Sequence, residues 1–317
     1  MAVKTIHSEQ SGRVLTVRFD NPPRNFMTTG MVDELSALVR GLEGDDSVGA
    51  VVFTGAPDEV FITHFDVEEI LASTEGVGGA LSATLAGGAL KTLGALERIP
   101  GARSGVIDRT PAAGLMALRD IHDLFLRMNR LDKVFIAAIN GLALGGGCEL
   151  ALACDLRLMA EGDHRIGLPE VTIGIIPGAG GSQRMTRALG PSRALELMLE
   201  GTILRPQEAL EVGLVHRVLA SERLLEEAGE VAERMARRSP AAVAALKRAV
   251  YDGASRSLED GLHIERAQLL AVASTDVARR AMTAYAEQVR AISDAAPWQD
   301  DSLIEPWQQG TAVKMTD

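Results

Sequence analysis

Cysteine is scarce in this sequence, and the two cysteines that are present lie close together. Cys148 and Cys154 are six residues apart in one apolar segment of a 317-residue chain. With no other cysteine available, neither a disulfide framework nor a four-ligand cysteine metal site can be built. We interpret both as reduced core residues of a cytoplasmic protein, since thiols stay reduced in that compartment.

An excess of positive charge is also absent. The 32 Lys and Arg residues are outnumbered by 43 Asp and Glu, which gives a formal net charge of −11, and no basic stripe occurs. Because an acidic surface repels phosphate backbones, we expect no nucleic acid partner. A small anionic ligand remains compatible with this charge wherever a few positive side chains converge.

Long hydrophobic runs are missing as well. The longest weakly polar stretch, residues 134–148, is interrupted by Asn140, and it is shorter than the roughly 20 apolar residues of a membrane-spanning helix. The first ten residues include Lys4, His7 and Glu9 and have no apolar core of the kind found in signal peptides. We therefore expect neither a membrane span nor a signal peptide.

Several motifs of common enzyme classes are not found. The glycine clusters at residues 145–147 and 178–181 do not fit G-x-G-x-x-G, and neither leads into the Lys-Ser/Thr pair of a P-loop. The six histidines show no H-E-x-x-H spacing, and there is no G-x-S-x-G elbow. Nucleotide binding, a metal site and serine hydrolysis are thus all disfavoured.

Local patterns predict an α/β architecture in the first part of the chain. Residues 14–19 and 50–54 are β-rich or apolar runs that indicate strands, and residues 29–42 carry apolar side chains with a helical period. A buried strand is expected over residues 134–139. Strands that alternate with helices are typical of layered α/β folds.

We divide the chain near residue 200. Residues 1–200 are expected to form the α/β core, and residues 201–296 an all-helical region whose last helix runs from residue 258 to about 292. Residues 297–317 form a tail that holds both tryptophans of the chain, Trp298 and Trp307. Because large aromatic side chains are costly in solvent, we expect this tail to dock on its own or a neighbouring subunit, the alternative being a disordered end.

A Gly/Ala-rich insertion covers residues of about 71–114. Its part from Leu85 to Leu96 could be a helix, and the rest has the composition of a loop. Long loops in compact domains are either functional or disordered. The insertion is therefore either a mobile surface segment or a lid or wall of a pocket.

Two isolated acidic residues stand out in apolar surroundings. Glu149 follows the glycines 145–147 at the first turn of a predicted helix, and Glu170 lies between Pro169 and a run of apolar residues. Taken singly, Glu149 could merely complement a helix dipole, and Glu170 could lie in a surface loop. Taken together, two such acids suit general acid-base chemistry, and a backbone N–H of the glycine turn could stabilise an oxyanion.

The segments around these acids resemble the signature of the crotonase family, the enoyl-CoA hydratase/isomerase superfamily. They read IAAINGLALGGGCELALACD over residues 136–155 and GLPEVTIGIIPGAGGSQR over residues 167–184, and the resemblance extends from about residue 14 to 292. It implies a fold of the α/β class, a spiral of β-β-α turns with a helical C-terminal region. In the family that region builds trimers, often paired into hexamers.

The resemblance also implies roles for particular residues. Glu149 and Glu170 would be the two hydratase acids, one activating water for attack at Cβ and the other giving a proton to Cα. The N–H groups of Gly146 and Phe65 would form the oxyanion hole for the thioester carbonyl. Substrate-binding positions would be Arg24, Phe26, His64, Asp66, Gly145, Pro169 and Gly178.

One stretch departs from the family pattern. Residues 60–67, VFITHFDV, align with the family's F-x-A-G-x-D, so that Thr63 and His64 replace its usual Ala-Gly pair. This is either a tolerated variation or a change of substrate choice or chemistry, since histidine can donate a proton near neutral pH. In the same way Arg24, in the loop that holds coenzyme A in the family, is either a cation for that anionic group or an ordinary solvated arginine.

The function that the resemblance implies is enoyl-CoA hydration, the addition of water to a trans-2-enoyl-CoA to give a 3-hydroxyacyl-CoA. No dissociable cofactor and no metal is expected, because acid-base groups and an oxyanion hole suffice for this reaction. The expected assembly is a homotrimer or a dimer of trimers in the cytoplasm. The alternatives are a double-bond isomerase, a thioester or carbon-carbon bond hydrolase, and a non-catalytic acyl-CoA-binding subunit.

Overall fold

Two β-sheets organise the protein, whose computed structural model describes residues 4–74, 82–96, 113–291 and 301–316. The strands are β1 (Ile6–Ser11), β2 (Val14–Phe19), β3 (Ala50–Gly55), β4 (Glu59–Ile62), β5 (Val134–Ile139), β6 (Gly141–Leu144), β7 (Leu156–Ala160), β8 (Ile166–Gly167), β9 (Ile203–Leu204) and β10 (Arg217–Leu219). The larger sheet has the order β1-β2-β3-β5-β7-β10 and is parallel except for β1. The smaller sheet has the order β4-β6-β8-β9.

Helices surround these sheets and dominate the second half of the chain. They are α1 (Thr29–Gly41), α2 (Val67–Thr74), α3 (Ala83–Leu96), α4 (Ala113–Arg130), α5 (Gly146–Ala153), α6 (Gly181–Leu189), α7 (Pro191–Glu200), α8 (Pro206–Glu211), α9 (Leu224–Ala236), α10 (Pro240–Lys247), α11 (Leu258–Ala273), α12 (Asp276–Ala291) and α13 (Asp301–Gln309). Two 3-10 segments, Glu170–Ile173 and Ser221–Arg223, and a π-helical turn, Arg248–Gly253, complete the described elements.

The chain order repeats a β-β-α unit. In each of the units β3-β4-α2 and β5-β6-α5 the first strand joins the larger sheet and the second joins the smaller one. The strands β7 and β8 divide between the two sheets in the same way. This is the spiral of β-β-α turns that the resemblance implies.

The larger sheet is buried on both faces. Val51 and Phe53 point to the main core, where the rings of Phe53 and Phe135 stack with centroids 5.8 Å apart. The alternate residues of the same strand, such as Val52, belong to a second core beneath α9. Successive strand side chains point to opposite faces, so a strand buried on both faces has an apolar run without alternation. The strands predicted from the apolar runs at 50–54 and 134–139 are confirmed as β3 and β5.

The region after residue 200 differs from the all-helical prediction. Two short strands, β9 and β10, extend the smaller and the larger sheet, with β10 paired parallel to β7. The single helix expected from residue 258 to about 292 is two helices, α11 and α12. The helix is interrupted at residues 274–275. Thr275 Oγ1 accepts the N–H of Ala278 at 3.2 Å and so caps the start of the second helix.

The described part of the tail docks on its own chain, which is one of the two docking sites predicted for it. Trp307 lies in α13, its Nε1 donates to Gln288 Oε1 at 2.8 Å, and its ring meets that of Tyr285 edge-on at 5.4 Å. Arg238 donates to the Trp307 carbonyl at 2.7 Å. Trp298 lies outside the described residues.

Part of the Gly/Ala-rich insertion is helical in the structure. The helix considered for residues 85–96 is present as α3, whereas residues 75–81 and 97–112 lie outside the described part of the chain. Cys148 and Cys154 are buried and unpaired, as predicted. Among the described residues, no helix combines the length and the apolar character that a membrane crossing requires.

Candidate active site

A glycine turn between β6 and α5 lies at the centre of the site. Gly145 has φ 47° and ψ −118°, and its N–H donates to the Gly167 carbonyl at 3.0 Å. A side chain is strained at such an angle. It would also crowd the site, because a Cβ on Gly145 would lie 3.3 Å from Glu170 Oε1 and 3.6 Å from the Cβ of His64. The turn therefore lets Glu170 and His64 approach the backbone closely.

Two backbone N–H groups lie side by side next to this turn. Met27 and Phe65 form an isolated parallel bridge. In it the Met27 N–H donates to the His64 carbonyl at 2.9 Å, and the Asp66 N–H donates to the Met27 carbonyl at 2.8 Å. The bridge uses the His64 carbonyl and the Asp66 N–H, so the Phe65 N–H points away from Met27. A Cβ on Gly146 would lie 3.2 Å from the Phe65 nitrogen, and Gly146, as the first residue of α5, has no intrahelical acceptor for its N–H.

Glu149 is held in the first turn of α5 by a glycine-rich loop. Its side chain is buried, and Oε1 accepts the N–H groups of Ala179 at 2.7 Å and Gly181 at 2.8 Å. Burial raises the pKa of Glu149, while those two hydrogen bonds and the charge of Arg184 oppose the rise. The carboxylate form is therefore the one that the surrounding groups stabilise.

Glu170 has a contrasting environment at the start of the 3-10 segment. Burial raises the pKa of Glu170 to about 7, and the nearby negative charge of Glu149 adds to the rise. Its Oε2 is buried and has no hydrogen-bond partner among the described residues. A hydrogen bond with its own backbone N–H opposes this rise in pKa only in part. Burial thus raises the pKa of both acids, and more groups that favour the ionised form surround Glu149 than Glu170.

An aromatic stack lines the side of the site that carries the unusual sequence. The rings of Phe26 and His64 stack with centroids 4.5 Å apart, and the exposed Arg24 guanidinium lies 5.9 Å from the Phe26 ring. His64 Nδ1 donates to the Phe65 carbonyl at 2.7 Å. The carbonyl can only accept, so this contact fixes the proton on Nδ1. The His64 side chain thus starts next to Gly145 and stacks on Phe26.

The other predicted substrate-binding residues hold the local backbone. Asp66 Oδ1 accepts the Glu68 N–H at 2.9 Å and so caps α2. Pro169 accepts the Thr172 N–H at 2.9 Å and begins the 3-10 segment with Glu170. The Gly178 carbonyl accepts from a histidine of α4. Each of these groups thus has a hydrogen-bond partner within the protein.

Sequence reasoning did not identify the groups that hold Glu149. Arg184 lies with its Cζ 5.5 Å from the Phe125 ring, and one guanidinium nitrogen is 3.4 Å from the Ala179 carbonyl. The signal was present, because residues 178–181 are a glycine-rich run directly before the α6 N-terminus. Such a run exposes backbone N–H groups that bind a carboxylate. Nothing local, however, indicates that the carboxylate would be Glu149.

The sequence also matches known proteins along most of the chain. A sequence model of the family described as enoyl-CoA hydratase/isomerase matches residues 109–294. A probable enoyl-CoA hydratase of Rhizobium meliloti is 33% identical over 292 residues, which is 92% of this chain and 98% of that protein. A short-chain-enoyl-CoA hydratase of Clostridium acetobutylicum is 30% identical over 289 residues, 91% of this chain and 97% of that protein.

The fold is likewise similar to a solved structure. The enoyl-CoA hydratase of Bacillus anthracis superposes with a TM-score of 0.72 at 29% identity and covers 90% of this chain and 97% of that chain. The mixed α/β fold with a parallel sheet and C-terminal helices is therefore the crotonase fold.

Proposed function

Because the chain belongs to the enoyl-CoA hydratase/isomerase family, we propose that it adds water to a trans-2-enoyl-CoA to give a 3-hydroxyacyl-CoA. The observation that carries this proposal is the pair of acids at the glycine turn. Glu149 is stabilised as a carboxylate by two N–H groups, and Glu170 has a pKa raised to about 7 beside it. Hydration of a conjugated thioester needs one base and one acid of this kind.

The two acids divide the proton transfers of the reaction. The oxygen of a water molecule bonds to Cβ while Glu149 takes one of its protons. Glu170 gives its own proton to Cα, on the same side of the double bond. The proton held by Glu149 then returns through solvent or the partner acid, so the net addition is one water molecule and both acids regain their starting states.

The N–H groups of Gly146 and Phe65 would stabilise the charge that develops on the thioester oxygen. The two amides lie next to each other, since the Phe65 nitrogen is 3.2 Å from the position of a Gly146 side chain. The peptide that carries the Phe65 N–H also accepts a hydrogen bond from Met27 at 2.9 Å through the His64 carbonyl. Such a bond polarises the peptide and strengthens its N–H as a donor.

Coenzyme A would pass along the stack of Arg24, Phe26 and His64. Arg24 is exposed and can pair with a phosphate, and the stacked rings offer an apolar edge next to Gly145. In this arrangement His64 and Asp66, with Gly145, Pro169 and Gly178, form the walls around the thioester. No dissociable cofactor is needed, since the two acids and the two N–H groups supply the chemistry.

Three further features of the proposal concern the whole protein. We assign it to a homotrimer or a dimer of trimers, because several large apolar side chains near Glu170 are exposed on the single chain. We assign it to the cytoplasm, where two buried, unpaired cysteines stay reduced. We assign it no nucleic acid partner, given its net charge of −11.

The first prediction is that Glu149→Gln and Glu170→Gln each lower the hydratase rate by about 10²- to 10⁴-fold, the range that one general acid or base contributes. The measurement is the loss of the conjugated enoyl-thioester absorbance near neutral pH, with crotonyl-CoA and with a longer trans-2-enoyl-CoA. Both changes keep the shape of the side chain and remove its ionisation, so the fold should remain intact.

The matched control is Glu230→Gln, an exposed glutamate on α9, which should leave the rate unchanged. Acyl-CoA binding without turnover by the parent protein would favour the non-catalytic alternative. Movement of the double bond without addition of water would favour the isomerase. Either result contradicts the proposed hydration.

A further inference from the structure

A histidine outside the predicted site contacts the loop that holds Glu149. His122 lies on α4, and its Nε2 is 2.7 Å from the Gly178 carbonyl oxygen. A carbonyl oxygen has no proton to give, so the histidine donates and Nε2 carries the hydrogen. Leu118, one turn earlier on the same face, packs against Gly178 as well, 3.4 Å from the position of a Cβ. The face of α4 therefore rests directly on the loop.

The carbonyl that accepts from His122 belongs to the same peptide group as a donor to Glu149. The Gly178 carbonyl and the Ala179 N–H are the two ends of one peptide unit. At one end Gly178 accepts from His122 at 2.7 Å, and at the other the Ala179 N–H donates to Glu149 Oε1 at 2.7 Å. A continuous hydrogen-bonded chain thus runs from the imidazole through one peptide to the carboxylate.

From this chain we infer that His122 is a positioning residue for Glu149, acting through the peptide between Gly178 and Ala179. A hydrogen bond to the carbonyl end polarises the peptide and strengthens donation from its N–H end. The same bond fixes the peptide plane, so the N–H stays directed at Oε1. The inference rests on the proposed role of Glu149 as the base of the reaction.

The other charged groups near Glu149 do not replace His122. Arg184 acts on Glu149 by its charge, and its guanidinium is 3.4 Å from the next carbonyl, that of Ala179. The second N–H donor, Gly181, belongs to a different peptide, whose carbonyl end on Gly180 accepts the backbone N–H of Arg184 at 3.0 Å. The charge of Glu149 in turn raises the pKa of Glu170. His122 is thus the side chain that supports the Ala179 donor.

The test compares His122→Leu with His122→Gln in the full-length protein. Leucine fills similar space without a donor, whereas the glutamine amide nitrogen can take the place of Nε2. We expect His122→Leu to lower kcat about fivefold, the loss expected for one hydrogen bond, with KM little changed. The acidic limb of the kcat/KM profile should move to higher pH, because a weakened donor stabilises the Glu149 carboxylate less. His122→Gln should restore most of both losses.

Two further measurements separate this inference from the proposed function. The carboxyl resonance of Glu149 in protein labelled with ¹³C-glutamate, assigned through Glu149→Gln, should titrate at higher pH in His122→Leu than in the parent, whether or not the protein has hydratase activity. His263→Leu, at an exposed histidine of α11, should change neither the rate nor this titration. An unchanged Glu149 titration in His122→Leu, or equal losses in the leucine and glutamine variants, would overturn the inference.

Discussion

At the residue scale, Glu149 and Glu170 differ in what surrounds each carboxyl group. Glu149 is buried and receives two backbone N–H groups, whereas Glu170 Oε2 is buried and receives none among the described residues. Burial raises both pKa values; two backbone N–H donors and the charge of Arg184 oppose the rise at Glu149, whereas a single backbone hydrogen bond opposes it at Glu170. In the proposed reaction, these surroundings suit Glu149 to the role of base and Glu170 to that of acid.

The pH dependence of the reaction follows from this difference. The proposed hydration uses Glu170 in its protonated form, and burial raises the pKa of Glu170 to about 7. Below about pH 7 the acid holds its proton, and above that pH it loses it. We therefore expect kcat/KM for hydration to fall on the alkaline side, by up to about tenfold per pH unit, with apparent values that belong to the coupled pair.

The measurement is the rate with crotonyl-CoA from pH 5 to 9 at constant ionic strength. Substrate stability in each buffer, followed without enzyme, is the control. A rate that stays constant from pH 6 to 9 would contradict the assignment of Glu170 as the acid.

At the element scale, a buried ionic cluster joins the C-terminal helices to the strands that carry the site. Lys247, at the end of α10, donates to Asp155 Oδ2 at 2.8 Å and to the carbonyls of Met128 at 2.8 Å and Lys133 at 2.7 Å. Tyr251, in the π-helical turn, donates to Asp155 Oδ1 at 2.8 Å. Burial lowers the pKa of Lys247, and the charge of Asp155 opposes this change. Asp155 lies two residues after the C-terminal end of α5, the helix that carries Glu149, so the cluster holds that end of the helix.

Removal of the lysine charge should destabilise the protein strongly. Lys247→Met removes the cation that pairs with Asp155, which keeps the uncharged donors Tyr251 and Phe135. The loss of one partner from a buried pair costs about 3–5 kcal/mol. We expect a clearly lower thermal unfolding temperature at unchanged protein concentration. The double variant Lys247→Met/Asp155→Asn should regain part of the loss, because the uncompensated charge is gone.

Lys91→Met serves as the matched control, since Lys91 is exposed on α3 and such changes usually stay within about 0.5 kcal/mol. Equal unfolding temperatures for Lys247→Met and the parent would show that the cluster contributes nothing to stability.

At the scale of the whole molecule, an apolar surface that follows Glu170 in the chain is exposed among the described residues. It is formed by Ile173, Ile176, Leu195, Leu199 and Ile203, which are 40% to 75% exposed and belong to neighbouring elements. Large exposed apolar patches are typical of contacts between subunits. The patch begins three residues after Glu170, so a second copy placed on it would also shield the site from solvent.

We expect the protein in solution to have three or six times the chain mass of 33.6 kDa, as measured by light scattering after size-exclusion chromatography. Leu199→Glu should shift the mass towards the monomer, because a charge buried at an apolar contact is costly. Leu85→Glu, at an exposed leucine of α3, should leave the mass unchanged. A parent protein that is monomeric at micromolar concentration would refute the assembly.

The sequence alone determined those features that depend on neighbours along the chain. The strands at 14–19, 50–54 and 134–139 and the helix near 29–42 follow from local periodicity, and the structure has them at nearly the same bounds. The run around Glu149 and the run around Glu170 are long enough to identify the family. The strands of the smaller sheet were not predicted, because segments of two to four residues carry too little pattern.

Tertiary structure decided which groups meet. Glu149, Ala179 and His122 are far apart in the chain, and only the packing of α4 and α5 against the loop before α6 connects them. The same holds for Phe65 and Gly146, whose amides adjoin because β4 pairs with β6. Composition and spacing indicate the chemistry of a side chain, whereas its pKa depends on burial and on partners that come from distant segments.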